Sequence, residues 1–71
     1  MRFNIGDKVI IKNRRKIKDN NNEHIVNAIY TKKEFIVKRA IPMKGYYIES
    51  DDGLGGILNS CDLRLVIEQD I

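Results

Sequence analysis

Aliphatic side chains recur in this chain with a period of two, and that spacing constrains its fold more than any other feature. Ile5-Gly6-Asp7-Lys8-Val9-Ile10-Ile11 opens the sequence and Asp62-Leu63-Arg64-Leu65-Val66-Ile67 closes it, each a turn-forming pair followed by alternating aliphatics. A period of two sends successive side chains to opposite faces of a strand. At least three more β-branched or aromatic runs lie between these ends, separated by polar turns, and none sustains a helical period. The expectation is an all-β domain, a small closed barrel of five to six short antiparallel strands.

Gly6-Asp7 turns into a first strand at about 8–12, with Val9 and Ile11 directed inward. The segment 13–23 is polar, short of β-formers and rich in asparagine, and it predicts a long mobile loop. A second strand is expected over 24–30 and a third over 35–40, joined through Thr31-Lys32-Lys33-Glu34 as a β-hairpin. Pro42 has no N–H for a ladder and ends the third strand. Lys44-Gly45 leads to a fourth strand at 46–50, and the glycine-rich turn 51–56 precedes a short strand at Ile57-Leu58. Asn59-Ser60-Cys61-Asp62 predicts one helical turn before a last strand over 63–67, and 68–71 are expected to fray. Residues 1–71 then form a single domain without repeat or linker.

Taken in order, Phe3-x-Ile5-Gly6-Asp7-Lys8-Val9-x-Ile11, the strand Phe35-Ile36-Val37-Lys38-Arg39, the strand Tyr46-Tyr47-Ile48 and the turn into Asp62-Leu63-Arg64-Leu65-Val66 cover nearly the whole chain. In this order of parts the sequence resembles the SH3-like small barrels of bacteria and their phages, among them ribosomal and transcription-factor modules with a KOW-type start. The resemblance implies an SH3-like barrel and leaves the task open, since this architecture serves many functions. The aromatic cluster that grips proline-rich peptides is missing, and there is no Trp, so polyproline recognition is not expected.

A barrel of 71 residues closes around a core one or two side chains thick, with no interior volume for an ordinary substrate cavity. An enzyme is therefore not expected, nor a small-molecule substrate or cofactor. Cys61 is the sole cysteine, which excludes an intramolecular disulfide and makes a reducing compartment, the cytoplasm, the expected location. Apolar runs such as Val9-Ile10-Ile11 are far too short to span a bilayer, and neither a signal peptide nor a membrane helix is expected. His24 and Cys61 are each the only residue of their kind and lack the paired spacing of zinc ligands, so no metal site is expected. Gly53-Leu54-Gly55-Gly56 follows two aspartates and precedes a strand, which fits turn chemistry and not a phosphate loop.

Charge is distributed unevenly along the chain. The net charge is +3, but residues 1–44 carry +8 and residues 45–71 carry −5. Lys12, Arg14, Arg15, Lys16 and Lys18 place five cations in seven residues. Side chains of that kind on a loop can each neutralise a phosphate and release a counterion, giving salt-sensitive affinity with little base selectivity. Lys32 and Lys33, with Lys38, Arg39 and Lys44, extend the set, and nucleic acid is the leading expected partner. The same run would also keep a small domain soluble without any partner.

The alternative is a protein-binding accessory or regulatory factor. Alternation sends Tyr46 inward and Tyr47 outward beside Glu49, and it leaves Ile10, Ile36 and Val66 on the outside as well. Ile10, Tyr47, Glu49 and Asp51 are the residues expected to matter for such a partner. Ile, Lys and Asn together make 27 of 71 residues, a bias expected of AT-rich coding sequence as in low-GC bacteria, their phages and mobile elements.

Overall fold

The computed structural model describes residues 3–14, 17 and 22–66. Gly6, at φ +93°, and Asp7 make the expected turn, with the Asp7 carboxylate accepting from the Asn4 N–H at 2.8 Å. Strand β1 follows at Lys8–Ile11, with Val9 fully buried and Ile11 packed against the core. Strands β2 (Phe35–Ile41), β3 (Gly45–Glu49) and β4 (Gly55–Leu58) form an antiparallel meander. A 3-10 turn at Ser60–Asp62 then leads to β5, Leu63–Leu65, which returns antiparallel to β1.

The five strands lie in one sheet in the order β4-β3-β2-β1-β5, and this sheet is not closed. The expectation of a closed barrel is corrected on that point: the ladder has two ends, at β4 and β5. Leu65 shows the consequence. It pairs with the buried Val9, so alternation directs it inward, but on a strand that ends the sheet among the described residues it remains 40% exposed. Val66 extends the pairing by donating its N–H to the Lys8 carbonyl at 2.8 Å, while 67–71 lie outside the described residues.

The segment 24–30 is a helix and not a strand. Helix α1 spans Glu23–Tyr30, and no hairpin joins it to β2, whose partners are β1 and β3. Ile25, Val26 and Ile29 are β-branched and favour strands weakly. Two local features outweigh them. The Asn22 side chain accepts from the N–H groups of His24 and Ile25 at 3.0 and 3.3 Å, a full N-cap with Glu23 in the first turn. Val26, Ile29 and Tyr30 fall at i, i+3 and i+4 and bring one apolar face onto the sheet, where Ile29 is fully buried.

The core is built from Phe3, Val9, Ile17, Ile29, Phe35, Val37, Tyr46, Ile48, Leu58 and Leu63. Phe3 stands edge-on to Tyr46 with centroids 5.3 Å apart, and its N–H donates to the Tyr46 hydroxyl. Tyr46 is thus inward and Tyr47 outward, as alternation requires. Ile17 corrects the view of 13–23 as one polar loop: its side chain is buried in the core, Asn22 caps α1 and Glu23 begins it. Residues 15, 16 and 18–21, on which the rest of that loop expectation falls, lie outside the described residues.

Candidate functional site

The cations singled out in the sequence meet different surroundings. Lys12 is exposed just past β1, where its backbone N–H donates to the Asp62 carbonyl at 2.8 Å. Arg14 is exposed too, but its guanidinium donates to the Tyr30 carbonyl at 3.4 Å and lies 5.8 Å from the Tyr30 ring centroid. A cation at the last carbonyls of a helix offsets the negative end of its dipole. Arg14 therefore has a structural task at the end of α1. Lys32 is half-buried in an ion pair with Asp52, and Lys33 is exposed. Arg15, Lys16 and Lys18 lie outside the described residues.

A different set of residues converges on the face of the sheet opposite α1. The strand register places Lys8 beside Ile36, Ile36 beside Glu49, and Ile10 beside Arg64. Val66 joins this row through its bond to Lys8, while Tyr47 pairs with Ile57 one step along β3. Ile10, Ile36, Tyr47, Ile57 and Val66 are all half-buried here. The result is a checkerboard of aliphatic and charged side chains.

Two open clefts cross this face and adjoin at Lys33 and Glu34. One, of about 520 Å³, is bounded by Lys8, Lys32, Lys33, Glu34, Ile36, Glu49 and Asp51. The other, of about 480 Å³, is bounded by Ile10, Lys33, Glu34, Arg64, Leu65 and Val66. Lys8 and Glu34 pair across the surface at 3.7 Å. Arg39 lies over the Tyr47 ring at 5.7 Å, and the Tyr47 hydroxyl donates to Glu49 at 3.2 Å. Ile10, Tyr47, Glu49 and Asp51 thus share one surface, and Lys33 reaches it from the other set. Ile57 was not singled out in the sequence, and Arg39 only as an extension of the basic set. The strand register that brings them to this face is a product of tertiary pairing.

The turn between β3 and β4 closes one flank. The Asp52 carboxylate accepts from the Lys32 ammonium, the Ser50 hydroxyl and the Leu54 N–H. The Lys32 bond first, then that from Ser50, hold its pKa down at about 2. On the other side of the sheet, the Tyr30 hydroxyl is enclosed without a hydrogen-bond partner among the described residues. Its pKa is raised chiefly by burial and then by the Asp62 charge, against the opposing effect of Arg14. Cys61 is an exposed free thiol, His24 is exposed on α1, and no group of His, Cys, Asp and Glu among the described residues is arranged to hold a metal ion. No helix among the described residues is long and apolar enough to cross a membrane.

Comparison of the chain with protein families, curated proteins and solved structures finds no match.

Proposed function

We propose that this chain is a non-enzymatic, cytoplasmic protein-binding module on an SH3-like fold, and that the sheet face opposite α1 is its contact surface. The strand order β4-β3-β2-β1-β5 and the 3-10 turn before β5 support the fold assignment, with α1 inserted between β1 and β2. The lone free Cys61 supports a reducing compartment.

The observation that carries the reading is the checkerboard of Ile10, Ile36 and Val66 among Lys8, Glu34, Glu49 and Arg64. Half-buried aliphatics in contiguous positions give a partner apolar area, and neighbouring charges of both signs fix its register. A uniformly basic surface would suit a phosphate backbone better. This one suits a protein segment that carries apolar residues between acidic and basic ones.

The test is a pull-down with the tagged chain from nuclease-treated lysate. The expected result is a stoichiometric protein retained by the wild type and by Arg14→Ala, and lost with the double variant Ile10→Thr, Ile36→Thr, which keeps β-branched side chains on both strands. Retention unchanged in the double variant overturns the assignment of the face. A partner that disappears on nuclease treatment, or no retained protein at all, overturns protein binding itself.

A further inference from the structure

Two departures from regular strand geometry sit on one hairpin, β2–β3, and both push chemistry into solvent. The first is a β-bulge. Val37 pairs with Ile48 and Arg39 with Tyr47, so Lys38 is the extra residue. Strict alternation after Val37 would send Lys38 out and Arg39 in. With the bulge both are exposed, side by side.

The second departure is the turn. The Lys44 N–H donates to the Ile41 carbonyl at 3.1 Å, with Pro42 and Met43 between them and Met43 at φ +66°. This is a type II turn, with proline at its favoured position and methionine where glycine or asparagine is the ordinary choice. The Met43 side chain is fully exposed, at 103%. The turn thus carries backbone strain at the residue that displays an apolar side chain to water.

Between Glu34 and Glu49 the sequence contains Lys38, Arg39 and Lys44 and no acid. β4 lies alongside β3 up to Tyr46, whereas β1 pairs with β2 only at Phe35 and Ile36, so the hairpin presents the outer side of β2 as a cationic edge ending in Pro42 and Met43. We infer that this edge is a contact for duplex nucleic acid, with Lys38 and Arg39 on phosphates and Met43 as a wedge against a base step. Exposed cations along an edge match a polyanion, and apolar wedges such as methionine and proline are what partly unstack base steps. A membrane surface fits less well. Interfacial binding grows with buried apolar area, and this tip offers one long apolar side chain beside a proline. Lys38 and Met43 lie apart from the sheet-face checkerboard and from the 12–18 segment, and Arg39 borders that face through the Tyr47 ring.

The experiment is fluorescence anisotropy of the full chain with a labelled duplex, repeated over a salt series from about 50 to 200 mM, with thermal melts confirming that each variant is folded. The wild type is expected to bind with strong salt dependence. Lys38→Ala with Arg39→Ala should make the log-log salt slope shallower by about two. Met43→Asn, which suits the turn, should leave the slope unchanged. It should weaken binding by about tenfold, the scale of one buried aliphatic side chain, and remove the 2-aminopurine signal of base unstacking. Ile10→Thr with Ile36→Thr should bind the duplex normally, so that failure here and failure of the protein-binding reading are separable. No duplex binding at low salt overturns the inference, as does binding to anionic vesicles in place of duplex. A slope carried by Lys12 and Arg14 overturns the assignment of the β2 edge, and Met43→Asn behaving as wild type overturns the wedge.

Discussion

Ile17 offers a quantitative test of how the core is completed. Its side chain is 1% exposed, in a stretch that is otherwise dense in charge. Ile17→Ala removes three carbons. At about 0.8 kcal/mol per buried methylene, transfer alone amounts to about 2.4 kcal/mol, and the cavity left behind brings the cost into a range of about 2–5 kcal/mol. A single core of this size supplies roughly 3–5 kcal/mol in total, so the alanine variant should be largely unfolded or nearly so at 25 °C. Ile17→Val, at about 0.5–1.5 kcal/mol, keeps the fold and gives a graded reading. Urea unfolding followed by far-UV circular dichroism, with a slope of about 1 kcal/mol per molar for a small domain, should move the valine midpoint down by about 0.5–1.5 M. Ile25→Ala is the control, since Ile25 is exposed on α1 and alanine is the better helix former. If Ile17→Ala costs less than about 0.5 kcal/mol, within the range of ordinary surface substitutions, Ile17 does not belong to the core.

Three further outcomes follow from the same reasoning. Met43→Gly relieves about 1–2 kcal/mol of left-handed backbone strain against about 0.5–1 kcal/mol of lost chain entropy, a net gain of up to about 1.5 kcal/mol. The melting temperature should rise by a few degrees at about 4–8 °C per kcal/mol, and a fall would contradict the turn geometry. Asp52 is held at a pKa of about 2 when folded, below its ordinary 3.8. Its contribution is therefore fully present above about pH 4 and is lost as pH falls toward 2. Thermal midpoints of the wild type should drop faster over that window than those of Asp52→Asn, and parallel curves would refute the Lys32–Asp52 contact. Asn22→Ala removes the α1 cap at about 1 kcal/mol. Asn22→Ser should recover most of that loss in the same melt, and no difference between the two would mean that the cap is not formed.

Much of the architecture was legible because burial acts directly on alternation. Val9, Phe35, Val37, Tyr46 and Ile48 sit where a period of two places them, and the turn at Ser60–Asp62 lies where Asn59-Ser60-Cys61-Asp62 predicted it. Helix α1 was missed because Ile25, Val26 and Ile29 speak for a strand by type and for a helix only by spacing. Asn22 ahead of Glu23, with Val26, Ile29 and Tyr30 three and four apart, was the readable cue. Sheet closure was not legible at all, since pairing between β4 and β5 depends on curvature and not on pattern. Of the surface residues, Ile10 and Tyr47 could be assigned outward from parity alone. The company they keep, Ile57 across β4 and Arg39 over the ring, comes from register that no single strand encodes.

The adjacent cations of β2 show how a breach of pattern can carry information. Two consecutive charged residues inside a strand violate alternation, because one of them must face the core. Burying a lone guanidinium would cost several kcal/mol, comparable to the whole stability of a domain this small. The chain avoids that cost by inserting Lys38 as a bulge and returning Arg39 to solvent. An apolar residue at position 39 would be compatible with a regular ladder. The same reasoning applies to Met43, where glycine would relax the turn and asparagine would tolerate it. Both features cost the isolated domain regularity or stability, and the proposed duplex contact supplies a compensating gain from paired cations and an apolar tip. A Met43→Gly protein that is more stable and binds a duplex as tightly as the wild type would refute that compensation.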